Sequence, residues 1–75
     1  MSRLPIVNFK LLDKLLRQLD FQAVRQKGSH VFYRHADGRA TTVPNHPSRD
    51  ISRPLLREIL REIELSPDEF GRLLR

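Results

Sequence analysis

Phe9, Leu12, Leu15, Leu16 and Leu19 recur every three or four residues, the spacing that gathers side chains onto one face of an α-helix. The pattern predicts a helix over residues 9–19. Asn8 is its cap, and Asp13 stands four residues before Arg17 on the wet side, a favourable helical pair. From Phe21 the period drops to two. Residues 21–26 and 31–35 then read as strands joined through Lys27, Gly28 and Ser29. Asp37-Gly38 predicts a type I′ hairpin turn, because glycine supplies positive φ cheaply, and a third strand follows over 39–43. The segment 44–50 holds two prolines and is too polar to continue a central strand, so the sheet is expected to end there.

Ser52 is placed to cap a second helix with Pro54 in its first turn. Its buried stripe is Leu56, Ile59, Leu60 and Ile63, with Arg57, Glu58, Arg61 and Glu62 facing water. Ser66-Pro67-Asp68-Glu69 carries the signals of a short last helix: a serine cap, proline at the first position and glutamate completing a capping box. The order is α-β-β-β-α plus a short C-terminal helix. An α+β solution follows, with both helices on one face of a three-stranded antiparallel sheet and the other face left for a partner.

Seventy-five residues imply one domain over 1–75, with a core that supplies only about 3–5 kcal/mol of net stability. Cysteine is absent, which removes disulfides, thiol nucleophiles and cysteine-based zinc sites and suits a reducing cytoplasm. No apolar run approaches the ~20 residues that span a bilayer, and the start lacks a signal-peptide core. A soluble, unprocessed cytoplasmic protein without membrane contact is expected.

The net charge of +5 is unevenly spread: residues 1–20 carry +2, residues 21–49 carry +4 and residues 50–75 carry −1. Basicity peaks around Lys27-Gly28-Ser29-His30, as expected where a polyanion docks; the alternative is an ordinary solvated strand surface. Eleven of the fourteen cations are arginine, which favours bidentate phosphate contacts and stacking on bases.

His30 is the candidate catalytic residue, since an imidazole exchanges protons near neutrality. The competing reading is a histidine that hydrogen-bonds a turn. RNA cleavage requires little beyond a base that removes the 2′-OH proton and cations that stabilise charge on the phosphoryl oxygens. Arg25, Lys27 and Arg34 are the nearest cations, Gly28 lets backbone amides approach a phosphate, and Ser29 is placed to orient the imidazole or bind phosphate. Alternation puts His30, Phe32 and Arg34 on one face and Val31, Tyr33 and His35 on the other. Each set includes an aromatic, so the pattern leaves open which face meets the helices. If Val31 and Tyr33 turn inward, Phe32 is free to stack on a base. His46, in the proline-flanked loop, is a candidate second proton-transfer or binding residue. The three histidines lack an Asp, Glu or Cys ligand pattern, so neither metal nor cofactor is expected. Adjacent Ser29 and His30 point apart within a strand, which disfavours a Ser-His-acid hydrolase.

Several of these motifs together resemble the HicA family of small toxins from toxin-antitoxin pairs. They are Leu4-Pro5, Leu19-Asp20-Phe21, Val24-Arg25-Gln26-Lys27-Gly28-Ser29-His30, Arg34-His35 before Asp37-Gly38, Val43-Pro44 with His46, Leu56-Arg57-Glu58-Ile59-Leu60-Arg61, Leu65-Ser66 and Glu69-Phe70. Asp20 departs from the family, which favours glycine there, and the loop 45–50 is variable. The resemblance implies a double-stranded-RNA-binding-domain-like fold and a metal-independent, ribosome-independent endoribonuclease that cleaves messenger RNA and halts translation, with His30 catalytic. It further implies a HicB-like antitoxin that covers the active surface, with DNA contacted only through that antitoxin. The alternatives are a non-catalytic RNA-binding module of the same fold and a protein-interaction domain with a basic docking face. Against an RNA-binding module, Ser52-Arg53-Pro54-Leu55 lacks the lysine cluster that usually opens the second helix of true double-stranded-RNA-binding domains.

Overall fold

Asn8 opens the first helix because its Oδ1 accepts from the Leu11 amide at 2.9 Å, satisfying one of the donors that a helix start leaves without a partner. The computed structural model describes residues 4–74. Its elements are β1 (Val7–Asn8), α1 (Phe9–Gln18), β2 (Gln22–Lys27), β3 (His30–Arg34), β4 (Ala40–Pro44), β5 (Asp50–Ile51), α2 (Arg53–Glu62) and α3 (Pro67–Leu73). Ser52 caps α2, and Ser66 with Glu69 forms the expected capping box on α3. In that box the Ser66 amide donates to the Glu69 carboxylate, which lies below the usual carboxyl range chiefly for that reason.

Both long helices end in the same way. After α1 the Asp20 amide donates to the Arg17 carbonyl and the Phe21 amide to the Leu16 carbonyl; after α2 Glu64 and Leu65 do the same to Arg61 and Leu60. These paired bonds are Schellman motifs, which require a left-handed residue just past the helix. Asp20 (φ 69°) and Glu64 (φ 59°) occupy those positions.

The main sheet is antiparallel in the order β2-β3-β4. Val31 opposes Val43 and Tyr33 opposes Thr41 on the covered face. There the Tyr33 hydroxyl donates to Asp13 Oδ1 of α1 at 2.5 Å, and Thr41 Oγ1 donates to Glu62 Oε1 of α2 at 2.7 Å. Both helices therefore lie on one face, and the fold is α+β of the double-stranded-RNA-binding-domain type. The buried side chains form one cluster that includes Leu12, Leu16, Phe21, Tyr33, Val43, Leu56, Ile59 and Phe70. Burial raises the Tyr33 phenol well above its ordinary range, and the hydrogen bond to Asp13 raises it further.

One unforeseen element is added and one expectation is corrected. The main sheet ends at Pro44 as expected, but Val7 pairs with Ile51 and Asn8 with Asp50 in a separate two-stranded ladder. Its inward residues, Val7 and Ile51, are buried, and two-residue strands are too short to show a period. The turn at Asp37-Gly38 is not type I′, because only Gly38 has positive φ, at 100°. The His35 amide donates to the Arg39 carbonyl and the Gly38 amide to the His35 carbonyl. That makes a three-residue loop whose glycine forms a bulge, the next commonest hairpin connection.

Candidate nucleic-acid interface

The uncovered face of the main sheet carries His30, Phe32 and Arg34 from β3. Pro44, Thr42 and Ala40 of β4 lie directly opposite them. On the other side, Lys27 opposes His30, Arg25 opposes Phe32 and Gln22 opposes Arg34. Regular alternation would not produce this. Ala23 pairs with Tyr33, yet the next pair is Arg25 with Phe32, so Val24 is an extra residue in a β-bulge. Without the bulge Val24 would face Phe32, and Arg25 and Lys27 would turn toward the helices, since a one-residue slip exchanges the faces. The bulge turns Arg25 and Lys27 onto the face that already carries His30, Phe32 and Arg34, so three cations, an aromatic ring and an imidazole share one surface.

Within that surface the Arg25 guanidinium lies 4.6 Å from the Phe32 ring centroid, a cation–π contact that holds both groups in place without burying either. His30 begins β3 and its side chain is exposed. Gly28 and Ser29 form the two-residue turn before it, with positive φ at Gly28 alone (58°), the pattern of a type II′ turn. Nothing lies within 4 Å of a Cβ built on Gly28, so its conformation, not crowding, requires glycine. Ser29 is half-buried. Its carbonyl accepts from the Asn45 amide at 2.6 Å, which ties the loop bearing His46 to the end of the sheet that bears His30. Arg34 is four residues along β3 from His30, about 13 Å away at strand spacing.

The other histidine of this region behaves differently. His35 Nδ1 accepts from the Asp37 amide at 3.0 Å and its ring meets Phe21 edge-on at 5.1 Å. Histidine bonded to a turn thus describes His35; no side-chain hydrogen bond holds His30 among the described residues. His35 Nδ1 also lies 3.0 Å from the Asp37 carboxylate, a contact that pairs opposite charges only when the imidazole is protonated. That carboxylate accepts from the Arg39 amide at 3.0 Å and from Arg39 Nε at 2.8 Å, which lowers its pKa.

Arg39 also packs 5.1 Å from the Phe21 ring and donates to the Ile63 carbonyl. One cation of the basic middle segment is thereby structural, a role that charge counting could not separate from ligand binding. Sequence reading missed Thr42, which register places opposite Phe32 in the middle of the face; pairing β4 against β3 would have found it. Among the described residues, no group of three His, Asp or Glu side chains is placed to hold a metal ion, and no helix is long and apolar enough to cross a membrane.

Topology and surface together define a small double-stranded-RNA-binding-domain-like protein with one basic, uncovered sheet face. Within that class, the family model of the HicA toxin of bacterial toxin-antitoxin pairs matches residues 9–65, which spans every strand of the main sheet and both long helices. The chain belongs to the HicA family and is the toxin partner of a toxin-antitoxin pair. No curated protein matches the chain.

Proposed function

We propose that this toxin is an endoribonuclease that cleaves messenger RNA and so halts translation in the cytoplasm, with His30 as its acid-base catalyst. The observation that carries the reading is the exposed His30 imidazole with Lys27 directly across the ladder and Arg25, Phe32 and Arg34 on the same face. His30 removes the proton of a 2′-OH, and the freed oxygen attacks the adjacent phosphorus. The bond to the 5′ oxygen breaks, leaving a cyclic phosphate and, once the departing oxygen is protonated, a 5′-OH. Lys27 and the Gly28-Ser29 turn are placed to stabilise charge on the phosphoryl oxygens. Arg25, Phe32 and Arg34 hold the flanking strand by charge and stacking, and His46 adds a contact beyond the sheet end.

No step of this reaction calls for a metal. The partner is a HicB-like antitoxin that competes for the basic face, and DNA is met only through it.

The test is induced expression of wild type and His30→Ala, with growth and RNA integrity as readouts and circular dichroism to verify folding. Loss of acid-base catalysis lowers the cleavage rate by about 10²–10⁴-fold, and wild-type cleavage persists in EDTA and yields cyclic phosphate ends. Equal toxicity of both folded proteins without RNA fragmentation would instead favour a binding module or an interaction domain.

A further inference from the structure

A shallow groove at the start of α1 is lined by Asn8, Phe9, Lys10, Asn45, His46 and Pro47. Taking the RNA-cleaving reading as its basis, we propose that this groove is a second nucleotide subsite, next to the phosphate presented to His30. Lys10 holds a backbone phosphate there, Phe9 offers a ring edge and Asn45 reads a base edge.

Position is the first argument. Pro44 pairs with His30, and the next residue, Asn45, donates its amide to the Ser29 carbonyl at 2.6 Å. The groove wall therefore begins one residue beyond the partner of His30. The groove thus adjoins the end of the sheet where His30 begins β3.

Charge is the second. Lys10 and His46 line the groove with no carboxylate among its walls. The neighbouring surface of α1 with Lys10, Lys14 and Arg17 includes Asp13, already bonded to Arg17 at 3.0 Å, and the hollow beside Arg34 includes Asp20. Either acid weakens an anion site that its neighbouring cations could otherwise form. Asp50 pairs with Asn8 across the small ladder without lining the groove.

Chemical type is the third. Single strands are bound by alternating phosphate contacts and aromatic platforms, and an asparagine amide offers both a donor and an acceptor to a base edge. Phe32 lies two residues from His30, about 7 Å along the strand. Phe9, half-buried and packed against the core, supplies the edge of a ring in the groove.

The experiment uses the full chain and an RNA oligonucleotide spanning a mapped cleavage site, with 2′-deoxyribose at the cleaved position to block attack, together with the two halves that end at that bond. Lys10 is exposed on α1 and alanine favours helix, while Asn45 contributes only its backbone to the Ser29 contact, so Lys10→Ala and Asn45→Ala both fold. The expected result is weaker binding of the spanning RNA and of one half only. Lys10→Ala also lowers the slope of log affinity against log salt by about 0.7, the loss of one single-strand phosphate contact. Variants that bind all three oligonucleotides as wild type does overturn the subsite and leave the nuclease reading intact. A wild-type protein that binds none of them overturns both.

Discussion

The Arg25 guanidinium rests 4.6 Å from the centroid of the Phe32 ring on the sheet face that no helix covers. Core formation does not account for this pair, since neither residue is buried. An arginine held over an aromatic ring presents donors to phosphate at little cost in side-chain freedom.

Phe32→Ala is expected to weaken binding of a cleavage-blocked RNA by about 1–3 kcal/mol, the range for losing one stacking platform. Thermal stability should change little, because the ring faces away from the helices. Fluorescence anisotropy with labelled RNA, beside a melting curve, measures both. Unchanged affinity would remove Phe32 from the interface.

Tyr33→Phe deletes the hydroxyl that donates to Asp13. Because the acceptor is a carboxylate, the expected loss is about 1.5–3 kcal/mol in urea unfolding. The pH dependence has a definite sign. The folded phenol titrates above the unfolded one, so its contribution is complete below the unfolded tyrosine pKa of about 10 and is lost as pH rises through the folded value. Wild-type stability should hold up to about pH 10 and decline above it, whereas the Tyr33→Phe curve should lack that component.

Asp20→Gly and Glu64→Gly each place glycine at a left-handed helix terminus now held by an L-residue. Relief of about 1 kcal/mol per site is expected, read as a higher urea midpoint with an unchanged slope. Gly28→Ala should have the opposite effect, since its φ of 58° would then be imposed on a residue with a Cβ.

Much of the architecture was legible before any tertiary information. The caps Asn8, Ser52 and Ser66, the stripes that bury Leu12, Leu16, Leu56 and Ile59, and the three main strands all follow from local rules, because capping and helical spacing depend on residues within one or two turns. The hairpin glycines were found as well, though the loop around Gly38 is one residue longer than a type I′ turn. The pairing of Val7 with Ile51 was not, since two residues make no period and their partner lies 44 positions away.

What the chain alone determined, then, was its set of elements, their core stripes and the alternation that keeps His30, Phe32 and Arg34 together, all short-range consequences of backbone geometry. Tertiary structure decided which side of the sheet stays open. Alternation is symmetric between its two faces, and only helix packing, with Tyr33 bonded to Asp13 and Thr41 to Glu62, breaks the tie. It also decided the composition of that open side, because the unpaired Val24 shifts Arg25 and Lys27 onto it, while Arg39 is drawn away to Asp37 and the end of α2. A bulge and an arginine's choice of partner depend on strands and helices meeting in space, and no local period in the sequence records them.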